Sequence, residues 1–591
     1  MPKITINNVP VEVDEGTTIL QAARKIDIKI PTLCYMQGFE PTGACRVCLV
    51  EVEGMRDPVT SCSMPVAEGM KIHTNNRMVR EARKAVVELI LSEHQGDCQT
   101  CERGEDCELQ SLASELGLKE IHYKGEKAKK MVDVSTPALV RDSSKCISCR
   151  RCVTVCNQIQ GIGSIFPQGR GFKSYIGPAF ASGLNSVTCV QCGQCSAICP
   201  VGAITEKDQV DEVWQMIDNP NKFVVVETAP AIRAALGECF DYPPGTLVTG
   251  KMTTALKKMG FDAVFDTNFA ADLTIIEEGN ELLTRLKKAL VDKDKTVALP
   301  MFTSCSPGWI NYVESFFPDI IPNISTCKSP QQMFGAVAKT YYAKKIGKKP
   351  EDIIVVSIMP CTAKKYEAQR PEMNSSGFRD VDIVLTTREL GRMIKQGGLD
   401  FQLLEDSEMD SPLGISSGAA DIFGNTGGVM EAALRTVYEL VTGKEFPFPK
   451  LHVAPIAGLE GVKEAAITIT ETVPAWSFLK GVEVKVAVAH GLSNAKKLIE
   501  KIKAGEASYH FIEVMCCPGG CIGGGGQPRF TTDEVRMARI GALYKEDEGK
   551  KLRKSHENPD IKKIYEEFLK EPLGEKSHKL LHTHYHLKER V

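Results

Sequence analysis

A chain of 591 residues is long enough for several domains, each with its own core, and at 43% hydrophobic and 25% charged residues it has the composition of an ordinary globular protein. Its formal net charge of -3 gives no electrostatic basis for binding nucleic acid or an anionic membrane. The start, MPKITINNVPVEV, lacks the apolar run of a signal peptide and no stretch approaches the ~18 apolar residues of a membrane span; in the cytoplasm, the expected compartment, 22 cysteines point to metal ligation or redox chemistry rather than disulfides.

Residues 1–78 alternate short strand-like runs with turns and contain Cys34, Cys45, Cys48 and Cys62. Their spacing, C-x10-C-x2-C with a fourth cysteine 14 residues later, departs from the plant-type C-x4-C-x2-C. Four thiolates at this spacing suit a [2Fe-2S] cluster or a structural zinc. From Asn75 the composition turns helical, and HQGDCQTCERGEDC supplies His94, Cys98, Cys101 and Cys107. One imidazole and three thiolates fit tetrahedral zinc as well as an iron-sulfur cluster. Two copies of C-x2-C-x2-C-x3-C follow, Cys146, Cys149, Cys152, Cys156 and Cys189, Cys192, Cys195, Cys199. In this bacterial run the fourth cysteine crosses to the other cluster. Crossing assigns Cys146, Cys149, Cys152 and Cys199 to one [4Fe-4S] cluster and Cys189, Cys192, Cys195 and Cys156 to a second.

Further along, FVVVETAPA, DAVFDTNFAADLTII, TVALPMFTSC, DIIVVSIMPC and VEVKVAVAH read as strands between helical segments such as SPQQMFGAVAKTYYAKKIG. This pattern predicts α/β architecture with buried parallel strands. Three loops carry thiols: TSCSPGW with Cys305, MPCTAKK with Cys361, and EVMCCPGGCIGGGGQP with Cys516, Cys517 and Cys521. Cys305 and Cys361 fall at carboxyl ends of predicted strands, where open α/β sheets build their sites. In IIEEGNELLTRL, Glu278, Glu281 and Arg285 share one helix face at i, i+3, i+7, either a solvated charged face or a relay. Cys239 and Cys327 read as small buried hydrophobes, and the histidines of SHKLLHTHYH as an exposed tail. No glycine-rich dinucleotide fingerprint follows a strand, so a nicotinamide or flavin would sit on another polypeptide.

Taken together, the cluster motifs and the three loops resemble the FeFe hydrogenases, in their long modular form with four accessory clusters, over the whole chain. The resemblance implies a multidomain α/β and α+β protein. Residues 1–78 would form a β-grasp ferredoxin with a [2Fe-2S] cluster, as at the head of complex I large subunits. Residues 79–135 would hold a [4Fe-4S] cluster through one histidine and three cysteines, and residues 136–210 two more [4Fe-4S] clusters. Residues 222–530 would form a two-lobed H-cluster domain, and residues 531–591 a helical segment that in some relatives is a separate small subunit. The H-cluster is a [4Fe-4S] cube bridged by a thiolate to a di-iron unit carrying CO, cyanide and azadithiolate. The implied reaction is reversible reduction of protons to H2. The alternatives are a hydrogen sensor and a non-catalytic electron-transfer subunit; Met359, Lys364, Met515 and Cys521, which such relatives tend to lose, favour catalysis.

The same resemblance implies roles for individual residues. Cys361, Cys517 and Cys521 match cube ligands, Cys521 being the bridge. Lys364 matches the lysine that hydrogen-bonds a cyanide; Pro230, Gln331, Met359 and Met515 match lining residues, and Ala231 stands where the family often has serine. Glu278, Glu281, Arg285 and Ser325 match the proton path to solvent. The family's usual first loop has two adjacent cysteines, a proton shuttle followed by a cube ligand; here Cys305 is followed by Ser306. Because a serine oxygen is a poor substitute for thiolate on iron, Cys305 is expected to ligate the cube, with Ser306 or Cys516 as shuttle. The third loop's glycines are expected to let backbone approach the cluster. Ferredoxin, a flavin-bearing NAD(P)H subunit and a small [2Fe-2S] subunit are the implied partners.

Overall fold

A computed structural model of the chain describes residues 1–124 and 131–588, so the expectations for 79–135 and 531–591 lie in part outside the described residues. Two compact units emerge: Met1–Gln158, Ile162–Cys189 and Ile198–Thr205 form one, and Ile159–Gly161, Val190–Ala197 and Glu206–Val591 the other.

The first unit opens with strands β1 (Lys3–Ile6) and β2 (Val9–Glu12). Asn7 and Asn8 between them both take positive φ, 50° and 67°, which a two-residue hairpin turn requires and asparagine tolerates. Helix α1 (Ile19–Lys25) starts at a capping box made by Thr18 and Gln21. With β3 (Leu49–Val52), β4 (Val59–Thr60) and β5 (Lys71–His73), the sheet runs β2-β1-β5-β3-β4. The β1–β5 pair is parallel and the other pairs are antiparallel. Ile19, Leu20, Ala22 and Ala23 of α1 share one core with Ile4, Ile6, Val50 and Ile72 of the sheet. This is the expected β-grasp arrangement. The helical stretch foreseen from Asn75 is α2 (Arg77–Glu93), capped by the Asn76 side chain.

The second unit holds two four-stranded sheets. Strands β6 (Phe223–Thr228), β7 (Ala263–Asp266), β9 (Ile353–Met359) and β10 (Ile383–Thr386) form an all-parallel sheet in the order β7-β6-β9-β10. In the other, β8 (Met301–Phe302), β13 (Phe511–Met515) and β12 (Glu483–His490) are parallel, and β11 (Val462–Thr468) pairs antiparallel at the edge. The two sheets match the expected two lobes.

Two runs depart from the expectation. DAVFDTNFAADLTII is a strand only through Asp266, whose carboxylate accepts from Asn268 N at 3.1 Å and starts helix α4 (Thr267–Leu290). An apolar run buried on all sides has no periodicity to separate strand from helix. TVALPMFTSC contributes only the two residues of β8, and β10, β11 and β13 were not anticipated.

Helix α8 (Gly428–Thr442) and helix α9 (Asp533–Gly549) are locked by a buried charge cluster. Arg435 donates to Glu431 at 2.7 Å and to Asp547 at 3.0 and 2.9 Å, all three side chains being fully enclosed. Removing one partner of such a cluster strands the others without water. Arg435→Met is therefore expected to destabilise the second unit by about 3–5 kcal/mol, read as an earlier denaturant midpoint for that unit.

Candidate metal centre

In the first unit the four cysteines of the ferredoxin fold are all buried. The Cys34 thiol is drawn down to about 5, first by its hydrogen bond with the Cys45 thiol, and Cys48 to about 6, first by the Cys62 thiol. Cys62 also feels the charges of Cys48, Cys34 and Cys45, so the four sulfurs gather at one place. Cys146, Cys149, Cys152 and Cys199 likewise line one cavity with about 410 Å³ of empty volume, the grouping that crossing ligation requires. Cys101 and Cys107 lie within electrostatic reach of each other, while Cys98 is exposed and His94 buried. Of the last ligand set, Cys156 and Cys189 belong to the first unit and Cys192 and Cys195 to the second.

The larger cavity lies in the second unit, with about 700 Å³ of empty volume. All three signature loops reach it from carboxyl ends of parallel strands: Cys305 three residues beyond β8, Cys361 two beyond β9, and Cys516, Cys517 and Cys521 after β13. Pro230, Gln331, Met359, Lys364 and Met515 line it as well, but Ala231 does not. Ala231 packs instead with Ile522 and Leu543 behind the wall.

Within the cavity the thiols sort into two groups. Cys361 and Cys516 each hydrogen-bond Cys517, which is pulled well below the ordinary thiol range by them, Cys361 first, against the effect of burial. Cys516 also meets the Cys192 thiol. Cys305 faces another set: burial and then the Glu278 carboxyl push its thiol well up, the Lys364 ammonium opposes them, and Cys521 adds a further upward push. Lys364 Nζ donates to the Cys305 carbonyl at 3.1 Å and to Glu367 Oε2 at 2.8 Å. Glu367, which also accepts from Ser329 at 3.0 Å and Gln331 at 3.3 Å, fixes where that ammonium points; nothing in the sequence marked it.

The third loop is held by its neighbours' backbone. A Cβ at Gly524 would fall 2.2 Å from the Pro360 carbonyl, and one at Gly525 2.2 Å from the Cys192 carbonyl. These glycines serve loop-on-loop contact, and Gly520 and Gly524 also line the cavity. His490, at the end of β12, accepts from Gly519 N at 3.1 Å through Nδ1, and its Nε2 lies 3.1 Å from the Leu459 carbonyl. Burial keeps this ring neutral, lowered to about 4.

The residues expected to form a relay lie together and are not a solvated face. Glu278 and Glu281 on α4 are both buried. Ser325 Oγ donates to Glu281 Oε2 at 2.8 Å, and Arg285 Nη2 to Glu281 Oε1 at 2.6 Å. Glu278 is hydrogen-bonded with Ser325 and raised to about 8 by burial and then by Glu281, so it keeps its proton at neutral pH. Its Oε1 has no hydrogen-bond partner among the described residues.

The tail expected at the surface closes over this region. Thr583 N donates to the Thr326 carbonyl at 2.8 Å, and the His582 ring is buried between Thr326 Oγ1 at 2.8 Å and Glu277 Oε2 at 3.1 Å. His578, His584 and His586 are exposed, as the sequence suggested, whereas Leu580 and Leu581 anchor the stretch around His582 in the core. Cys327 is buried as expected, 3.7 Å from Glu281 Oε2, whereas Cys239 is only partly buried.

A cavity walled by cysteine sulfurs, two thioethers and one anchored ammonium has the soft donor set of an iron-sulfur centre, and the class of protein it points to is the iron-only hydrogenases. Residues 222–525 match the iron only hydrogenase large subunit, C-terminal domain, and the chain belongs to that family. Residues 2–77 match a 2Fe-2S iron-sulfur cluster binding domain, 83–122 the NADH-ubiquinone oxidoreductase-G iron-sulfur binding region, 136–205 the ferredoxin-like domain of NADH-quinone oxidoreductase subunit 3, and 533–588 the iron hydrogenase small subunit. The chain is 50% identical to the NADP-reducing hydrogenase subunit HndD of Solidesulfovibrio fructosivorans, over 100% of each chain. It is 39% identical to iron hydrogenase 1 of Clostridium pasteurianum over 99% of this chain and 100% of that one. Among solved structures, the apo [FeFe]-hydrogenase HydA1 from Chlamydomonas reinhardtii, at 45% identity, superposes with a TM-score of 0.58 over 64% of this chain and 99% of its own.

The neutral His490 carries a pH signature. Its folded pKa of about 4 lies below the ordinary 6.5, so the unfolded chain binds the extra proton and stability present above pH 6.5 is lost as pH falls toward 4, by up to about 3 kcal/mol. His490→Asn should flatten that acid limb in denaturant titrations across the same window. Glu278→Gln, which keeps the shape and removes the transferable proton, is expected to lower H2 turnover roughly 10²–10⁴-fold while leaving the iron content unchanged.

Proposed function

We propose that this hydrogenase works as a cytoplasmic catalytic subunit whose [2Fe-2S] and [4Fe-4S] domains pass electrons to and from the cavity of the second unit. The carrying observation is the convergence there of three strand-end loops bearing five cysteines, beside Lys364, Met359 and Met515.

Cys361, Cys517 and Cys521 would hold the H-cluster, which when bound supplies the site where protons and electrons combine. The protein does the rest. Lys364, its charge oriented by Glu367, is placed to donate to an anionic ligand at the di-iron end. Met359 and Met515 give that end an apolar, polarizable wall. The chain Arg285, Glu281, Ser325, Glu278 conducts protons between solvent and Cys305: Arg285 donates to Glu281 at 2.6 Å, and Glu278, protonated up to about pH 8, gives up and regains a proton near neutrality. Burial excludes water from the reacting end, so proton traffic is confined to that path.

The relative named as an NADP-reducing hydrogenase subunit and the lack of a glycine-rich dinucleotide fingerprint in this chain support a multi-subunit complex, in which our reading places a flavin-bearing NAD(P)H subunit and a small [2Fe-2S] subunit as partners, with ferredoxin as a further donor. The matured protein should show infrared bands of metal-bound CO and cyanide and should interconvert H2 and protons with a reduced dye. Loaded accessory clusters without those bands and without turnover would remove the assignment. Purified alone under anaerobic conditions, the chain should reduce the dye yet leave NADP+ unreduced until the other subunits are added.

A further inference from the structure

The adjacent pair Cys516-Cys517 leaves one thiol more than the expected ligand set uses, and the first loop has a serine where the family puts a ligand. The structure relates the two anomalies. Cys516 N donates to Ser306 Oγ at 3.2 Å, so the extra cysteine stands directly against the serine. Its side chain is buried and lies on the wall of the cavity. It points toward the cube side: its sulfur is hydrogen-bonded with Cys517 and Cys192, and Cys517 in turn with Cys361.

A seat is built for it. A Cβ at Gly308 would lie 2.7 Å from Cys516 Sγ, so a side chain there would displace the sulfur. Gln160 Nε2 donates to the Cys516 carbonyl at 3.1 Å and fixes the backbone. Cys305 is placed otherwise. Its charged neighbours are Glu278, the inner end of the expected proton relay, Lys364, the expected partner of a cyanide, and then Cys521, the expected bridge to the di-iron unit. The thiol toward the relay and the di-iron end is thus Cys305, and the thiol beside Cys517 and Cys361 is Cys516.

We propose that Cys516, supplied by the third loop, is the fourth protein ligand of the cube, standing in for the sulfur that Ser306 lacks, and that Cys305 is left free to exchange protons with Glu278. This reverses the assignment expected from serine's weakness as an iron ligand, and it rests on the hydrogenase reading above. Binding is a ligation step only: the Cys516 S–H proton goes to solvent, an Sγ–Fe bond forms, and no electron is transferred. Ser306 keeps a structural task, accepting from the Cys516 amide. The contact with Cys192, an expected accessory-cluster ligand, sets the substitute sulfur on the side from which electrons arrive.

The test uses the full chain, produced without di-iron maturation so that the cube is counted apart from activity. Wild type, Cys516→Ala, Cys305→Ala and the double variant Ser306→Cys/Cys516→Ala are compared by iron analysis and by electron paramagnetic resonance of the reduced and air-oxidised protein. Cys516→Ala should lose about one to four iron atoms per chain, with a three-iron signal where the cube survives incomplete. The double variant should regain the lost iron, which separates lost ligation from lost folding. Cys305→Ala should keep its full iron complement and, once matured, show normal CO and cyanide bands with turnover reduced roughly 10²-fold or more. Full iron in Cys516→Ala together with iron loss in Cys305→Ala would overturn the proposal and restore Cys305 as ligand. Absence of CO and cyanide bands in the matured wild type would instead strike the hydrogenase reading, with the iron counts still deciding the ligand.

Discussion

Backbone packed against backbone around the third loop is the constraint on which the centre depends. Gly524 and Gly525 lie so close to the Pro360 and Cys192 carbonyls that any side chain there would wedge the loops apart. Gly526 N donates to the Pro360 carbonyl at 2.8 Å, closing the same contact with a hydrogen bond. Cys361 and Cys517 are thereby held at a spacing set by peptide geometry, which is stiff, and not by side-chain rotamers, which are soft. A cluster site needs that stiffness, because thiolate positions fixed to a fraction of an ångström are what distinguish a built site from a group of nearby cysteines.

The two sheets supply the frame for this contact. Parallel strands buried on both faces end together at their carboxyl edges, and β8, β9 and β13 each deliver a cysteine loop there. Glu513 on β13 adds a tie by accepting from Gly427 N and Met430 N, both at 2.7 Å, at the start of α8. A carboxylate at a helix N-terminus is favoured by the helix dipole, and here it couples the strand that carries the third loop to the helix that Arg435 locks to α9. The segment matching the hydrogenase small subunit is therefore joined through buried charge to the body that carries the thiols.

In the proposed reading, proton and electron functions occupy different sides of the cavity. Glu278 and Cys305 lie toward α4 and the Ser325 loop, where burial raises carboxyl and thiol alike and keeps both protonated. Cys516, Cys517 and Cys361 lie toward Cys192. The tail segment around His582 contacts Glu277 and the Thr326 turn.

Much of this was legible in the sequence, because cluster ligands are spaced by the reach of short loops around an inorganic core and such spacing survives in one dimension. The four thiols of the ferredoxin fold, the crossed set ending at Cys199, the strand-end positions of Cys305 and Cys361 and the relay face of α4 were all read from local pattern. What the tertiary structure decided was pairing across distance: that Glu367 gathers Ser329 and Gln331 beside Lys364, that His490 holds Gly519, that His582 is buried, and that Cys516 lies against Ser306 while Cys305 turns to Glu278. Sequence separation carries no direction, and which side of a cavity a side chain faces is fixed only when segments more than 200 residues apart, such as Ser306 and Cys516, are packed against each other.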